Sequence, residues 1–350
     1  MVFQTSFPGM SDFPALPYPW QQGDWQQLCA QMAADKLPHA LMLAGPKGIG
    51  KRHLAEALAH VLLCLSPVEG TPCGKCRSCQ LNHAQTHPDF LVLEPEEGSK
   101  AIKVDQVRGL IESLGKTAQQ GGYKVLVLEP AEAMNTNSAN ALLKSLEEPA
   151  NNTLLILVSH TPSAVLPTIR SRCQLRLLPM PREEQVLHWL TPLMTGSNTQ
   201  PQDLLSVARG APLTALALLE GDALERYRQL QDNLARLTLG QLSAIELAQQ
   251  WHTDDVVAII EWFLGWLHGL ARWRVGVDDP RIKAMPPEVR ERVSYISPGL
   301  LHRYIEKILT NKKQLLSGAN PNKQLLLEEL FLDWGALLRA STNRPLAAGQ

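Results

Sequence analysis

Two groups of residues have the types and spacing to do chemistry. The first is Gly45-Pro46-Lys47-Gly48-Ile49-Gly50-Lys51-Arg52, at the junction of a short apolar run and a helical pattern. Its spacing matches a phosphate-binding loop, G-x-x-x-x-G-K-[ST]. In such a loop backbone amides and a helix N-terminus cradle phosphate oxygens, and the lysine reaches the terminal phosphates. The last position normally holds Ser or Thr, whose hydroxyl ligates Mg²⁺. Here it is Arg52, which cannot ligate a metal and brings positive charge to the cation's place. A working hydrolase also needs two acidic residues after a later strand, one for the metal and one for the attacking water. The chain reads Val125-Leu126-Val127-Leu128-Glu129-Pro130. Glu129 can still bear charge at the metal position, but Pro130 cannot polarise water. Two independent losses predict weak or absent ATP/Mg²⁺ binding and no turnover by this chain.

The second group is Cys64, Cys73, Cys76 and Cys79, spaced C-x8-C-x2-C-x2-C. Four closely spaced thiolates suit tetrahedral Zn²⁺ with no open coordination position, so a structural zinc is expected. His83 and His87 lie nearby and read as packing or surface residues, because four sulfurs already close the site. Cys29 and Cys173 read as small core or motif residues.

These residues need elements to position them. Ala40–Ala44, Phe90–Leu93, Val125–Leu128 and Leu154–Val158 are short apolar runs, and Leu175–Leu178 is expected to be a fifth strand. Between them lie helical patterns at Lys51–Leu65, Val104–Leu114 and Asn137–Glu147. Short buried strands alternating with helices predict a parallel α/β sheet covered on both faces. After Pro181 the strand runs stop. Glu183–Leu190, Gln202–Arg209 and Leu213–Leu219 suggest a small helical unit, and the chain from Asp222 onward reads as all helix. Within it Asp254–Arg274 is amphipathic, and Trp251, Trp262, Trp266 and Trp273 read as core. Asn320-Pro321 is expected to open a last helix through Trp334, after one closed by Gly318. The expected domains are a flexible lead-in, 1–17; a P-loop α/β domain, 18–180, with the cysteine module at 64–79; a helical lid, 181–221; and an all-helical C-terminal domain, 222–350.

Composition bounds the function. Of 350 residues, 33 are Lys or Arg and 34 Asp or Glu, a formal net charge of −1. That balance disfavours a free-standing protein held to nucleic acid by bulk positive charge. Apolar residues make up 45 %, enough for sizeable cores. The longest purely apolar stretches are far short of a membrane span, and the prolines and missing basic residues near the start do not read as a secretory signal. A reducing cytoplasmic setting is expected, which also favours metal-bound over disulfide-bonded cysteines.

Several segments taken together resemble the AAA+ clamp-loader family of bacterial DNA polymerase III. Leu37-Pro38-His39-Ala40-Leu41 leads into the loop, and the four-cysteine insertion follows. Asn140-Ala141-Leu142-Leu143-Lys144-Ser145-Leu146-Glu147-Glu148-Pro149 comes after the third strand. Leu166-Pro167-Thr168-Ile169-Arg170-Ser171-Arg172-Cys173-Gln174 comes after the fourth. The resemblance spans Tyr18 to Trp334. It implies a subunit of a five-subunit spiral that opens the ring-shaped sliding clamp and places it on primer-template DNA in replication, its all-helical domain 222–350 joining an oligomerisation collar with related subunits. Its implied partners are gamma/tau-type and delta-type subunits. It would be a non-catalytic part of the DNA-directed DNA polymerase, a nucleotidyltransferase. In this family the Ser-Arg-Cys arginine is an arginine finger, supplied in trans to a neighbour's ATP. Carried over, that is Arg172, flanked by Ser171 and Cys173. Active relatives also carry a nucleotide-sensing arginine in a G-x-x-R-x-A lid motif. Here Gly210-Ala211-Pro212-Leu213-Thr214-Ala215 has leucine instead, while Ser159 or His160 stands where a polar sensor would end the fourth strand.

The damaged positions, Arg52, Pro130 and Leu213, all serve a subunit's own nucleotide, whereas Arg172 serves a neighbour's. Two other classes remain as alternatives. One is an active AAA+ ATPase of the gamma/tau type, which turnover by the isolated chain would support. The other is a zinc-dependent DNA-binding module, which salt-sensitive DNA binding by the monomer would support.

Overall fold

The computed structural model describes residues 16–194, 199–219, 222–277, 279–316 and 321–342. The first fifteen residues of the expected lead-in, Gly318 and Asn320 lie outside them. The chain divides into two compact units, 1–217 and 218–350.

The first unit is built on five parallel strands: β1 (Ala40–Ala44), β2 (Phe90–Leu93), β3 (Lys124–Leu128), β4 (Thr153–Ser159) and β5 (Gln174–Leu177). Their spatial order is β2-β3-β4-β1-β5. β1, β3 and β4 are buried along their whole length, which is why they read as continuous apolar runs rather than alternating ones. Side-chain alternation splits them between two cores. Leu41, Leu43, Val125, Val127, Leu154 and Ile156 face α1 (Gln22–Ala33) and α2 (Lys51–Leu63). Met42, Leu126, Leu128, Leu155 and Leu157 share the other core with Val107, Leu114, Leu142 and Leu146.

The sequence elements between the strands are α3 (Arg77–His83), α4 (Val104–Leu114), α5 (Thr136–Glu147) and the single turn α6 (Pro167–Arg170). After β5 come α7 (Glu183–Leu190), α8 (Pro201–Val207) and α9 (Pro212–Ala217). This is the expected parallel α/β class followed by helices.

The second unit is helical: α10 (Ala223–Leu239), α11 (Ala244–Trp251), α12 (Val256–Arg274), α13 (Pro280–Lys283), α14 (Pro287–Ser294), α15 (Pro298–Leu316) and α16 (Lys323–Thr342). Its core gathers Leu247, Trp251, Phe263, Trp266, Phe331 and Trp334, all buried. Trp262 and Trp273 pack against that core half-buried. Trp334 donates its indole N–H to Thr238 Oγ1 at 3.0 Å, which satisfies its one polar group. The last helix starts later than the Asn320-Pro321 reading. It opens at Lys323, with Asn322 Oδ1 accepting from the amides of Gln324 and Leu325, and it continues past Trp334 to Thr342. A side-chain oxygen that reaches two free amides outweighs a proline's preference for the first turn.

Candidate functional site

The loop Gly45–Gly50 joins β1 to α2, with Gly45, Gly48 and Gly50 at positive φ. Neighbours pack against it closely. A Cβ at Gly50 would lie 2.5 Å from the Tyr18 ring, and one at Gly48 would lie 2.3 Å from Thr214 Oγ1. Only glycine fits at either place.

Lys51 is buried and turned back on the loop. Its Nζ donates to the carbonyls of Gly45 at 2.8 Å and Pro46 at 2.6 Å. Burial pushes its ammonium down to about 8, against the pull of Glu129 and Glu132.

Arg52 turns inward to a ring of carboxylates. Its Nε donates to Glu56 Oε1 at 2.8 Å, and its Nη1 lies 2.8 Å from Glu94 Oε2 and 3.7 Å from Glu129 Oε2. Glu129 is thus paired with a side-chain cation. Burial nevertheless raises its carboxyl to about 7, opposed by Arg52 and Lys51. His160 Nε2 lies 3.6 Å from Glu129 Oε1, and burial lowers its imidazole to about 4, so it is neutral near pH 7. The amides of His160 and Thr161 donate to Glu132 Oε1 at 2.9 and 3.1 Å. Ser159 is buried at the end of β4, where its carbonyl accepts from the Gly45 amide at 3.2 Å.

Some of the site was not read from the sequence. Trp20 Nε1 donates to Ile49 O at 2.9 Å, and Gln21 Nε2 to Gly50 O at 2.8 Å. Tyr18 stacks on Trp20 with ring centroids 4.8 Å apart and meets the Trp189 edge at 5.6 Å. His53, one residue past Arg52, lies 4.4 Å from the Tyr18 ring. From α9, the Leu213 amide donates to Gly48 O at 2.9 Å. The segment before α1 and the helices after β5 therefore both hold the loop. The aromatic cluster Tyr18, Trp20, Trp25 was the signal available in the sequence.

The four cysteines converge as expected. Their sulfurs all lie within 4.8 Å of one another, with Cys64–Cys79 at 3.6 Å and Cys64–Cys76 and Cys73–Cys79 at 3.9 Å. A disulfide needs about 2.05 Å, so none is formed. Zinc–sulfur bonds of about 2.3 Å place tetrahedral sulfurs ~3.8 Å apart, and the observed spacings fit that ion. Three amides point at sulfur: Cys73 N at Cys64 Sγ, Cys76 N at Cys73 Sγ and Cys79 N at Cys76 Sγ, at 3.2, 3.4 and 3.4 Å. Donors aimed at sulfur stabilise thiolates, the form that binds metal. His87 is buried and bonded to Ser78 Oγ at 3.2 Å, a packing role.

Arg172 stands apart from the loop. It follows α6 and is half-exposed, in an ion pair with Glu147 at the end of α5. Ser171 Oγ donates to Thr168 O at 3.2 Å. Cys173 packs against the α5 side of the sheet, where burial pushes its thiol up to about 12 and keeps it an inert filler. Arg176 is a structural residue, bonded to Gln27 Oε1 at 2.8 Å and paired with Asp24 at 3.2 Å.

A parallel sheet with a P-loop after its first strand, a sulfur cluster beyond the next helix and helices after the last strand defines a P-loop-type α/β protein. Comparison with known proteins narrows that class. Residues 20–181 match the family model described as DNA polymerase III, delta subunit, and residues 221–336 match its C-terminal counterpart. DNA polymerase III subunit delta' of Pseudomonas aeruginosa is 41 % identical over 325 residues, covering 91 % of this chain and 98 % of that protein. The Escherichia coli K12 subunit of the same name is 33 % identical, covering 90 % and 94 %. A solved DNA polymerase III gamma subunit-related protein from Thermotoga maritima is 16 % identical with a TM-score of 0.42, covering 91 % and 99 %. The chain belongs to the delta' family of DNA polymerase III subunits.

Proposed function

We propose that this chain is an ATP-silent clamp-loader subunit. It would assemble with gamma/tau-type and delta-type subunits into a hetero-pentamer that places the sliding clamp on primer-template DNA in the cytoplasm. The observation that carries this reading is the contrast between two arginines. Arg52, in the first turn of α2 just after the phosphate loop, is held by Glu56, Glu94 and Glu129 and would take the place of a divalent cation. Arg172 sits on the surface, where a neighbouring subunit's nucleotide could meet it. Tyr18, Gln21 and Leu213 further restrict the loop, and Lys51 gives two of its three donors to the loop's own carbonyls. A guanidinium in trans stabilises charge developing on a transferring γ-phosphoryl group. Cys64, Cys73, Cys76 and Cys79 would hold a structural Zn²⁺, which cross-links the loop between α2 and α3 and takes no part in hydrolysis.

The test is single-turnover ATP hydrolysis by a reconstituted loader with clamp and primed DNA, comparing wild-type chain with Arg172→Ala. The chain alone is assayed beside it. The expected result is no turnover by the chain alone. In the mutant complex, assembled normally, the adjacent site should lose about 10³-fold in rate. Turnover by the chain alone would overturn the ATP-silent reading, and an unaffected mutant complex would overturn the finger.

A further inference from the structure

The grip on Arg172 comes from two directions. Its Nε donates to Glu147 Oε1 at 2.8 Å, and its Nη2 lies 2.5 Å from the same oxygen. Its Nη1 donates to Thr168 O at 2.9 Å, with Ser171 Oγ at a marginal 3.5 Å. Thr168 and Ser171 belong to the arginine's own turn. Glu147 does not: it is the last residue of α5, 25 positions earlier in the chain. It is therefore the anchor that ties the guanidinium to the body of the α/β unit. A guanidinium has five N–H donors in a rigid fork. Glu147 engages the Nε–Nη2 edge and the Thr168 carbonyl takes one N–H of Nη1, so one N–H on Nη1 and one on Nη2 remain for an acceptor from outside.

An unrestrained arginine samples many rotamers, and a catalytic group must be in place before the transition state forms. A carboxylate on the Nε–Nη2 edge removes much of that freedom and still leaves an N–H on each terminal nitrogen usable. The same pair can add little to folding, because its side chains are 35 % and 49 % exposed. Exposed ion pairs contribute little to stability. The pair is thus better suited to orienting Arg172 than to holding the fold together.

We propose that Glu147 is a positioning residue for Arg172, fixing the guanidinium in the pose it presents to a neighbouring subunit's γ-phosphoryl group. This rests on the reading of Arg172 as a finger in trans. Glu147 itself touches no reacting atom. Gln at this position keeps an oxygen that can accept from Nε and Nη2, so it retains the geometry without the charge. Ala removes both.

The test uses the whole reconstituted loader with clamp and primed DNA. Chains carry Glu147→Ala, Glu147→Gln, Arg172→Ala or Glu147→Ala with Arg172→Ala. Both kcat and KM for ATP are measured at the adjacent site, and Tm is measured on each chain. Glu147→Ala is expected to lower kcat about tenfold with KM unchanged. Glu147→Gln should recover most of that loss. The double variant should be no slower than Arg172→Ala alone, since Glu147 acts through the arginine. Tm should move by no more than about 2 °C. An unchanged or raised kcat in Glu147→Ala overturns the proposal, and so does a further loss in the Arg172→Ala background. If Arg172→Ala itself leaves kcat unchanged, the finger reading fails and the positioning role falls with it. A loss with Arg172→Ala but none with Glu147→Ala overturns the positioning role alone.

Discussion

Glu129 is the residue in which the phosphate loop's electrostatics meet. Two cations lie near it, yet burial outweighs both and lifts its carboxyl to about 7. The folded chain therefore binds this proton more tightly than the unfolded chain does, and stability falls as pH rises from about 4.5 to about 7. Glu129→Gln removes the titration. Relative to wild type, the variant is expected to gain on the order of 1–3 kcal/mol between pH 5 and pH 8. Urea unfolding at the two pH values checks this; a gap that stays constant would contradict it. The residues of this site were unequally legible. Lys51 and Arg52 stand in a contiguous motif, and Glu56 is a helical i,i+4 partner that the spacing could have shown. Glu94 reaches Arg52, and Gln21 the loop, from distant parts of the chain, and no local pattern encodes such contacts.

At the scale of elements, β1, β3 and β4 were legible because burial on both faces leaves unbroken apolar runs, and the two cores follow from side-chain alternation along them, whereas the edge strand β5 is largely exposed and carries Arg176. α3 was not legible. Its seven residues, Arg-Ser-Cys-Gln-Leu-Asn-His, carry no apolar period. Its N-terminus is capped by Cys76, whose sulfur accepts from the Cys79 amide at 3.4 Å. Two of the metal-ligand candidates thus also shape this helix. Metal analysis of the purified chain is expected to find one zinc per molecule. Cys76→Ser, which weakens both a ligand and the cap, should lose it and lower Tm by about 5–10 °C. A zinc-free wild-type chain with the same Tm would remove the structural role. The start of α16 shows the opposite difficulty: the sequence offers two asparagines in succession around a proline, and which of them caps depends on backbone geometry.

For the molecule as a whole, the decisive fact is that each unit has its own core. Among the described residues, the helical unit's core draws on residues between 230 and 338, and Trp251, Trp266 and Trp334 lie inside it. Residues 218–350 expressed alone are therefore expected to form a helical domain with a cooperative thermal transition and buried-tryptophan fluorescence. A gradual, non-cooperative melt of that fragment would show that it depends on residues 1–217. The strand-to-helix change after Pro181 was readable from composition, whereas the grouping of α7, α8 and α9 with the sheet was not. That grouping rests on individual contacts such as Leu213 N to Gly48 O. The charge centre in the first unit has a consequence for how the protein is made and handled. Arg52 is synthesised with the chain, so a cation beside Glu56, Glu94 and Glu129 arrives in fixed stoichiometry at translation. It cannot be diluted, dialysed or chelated away.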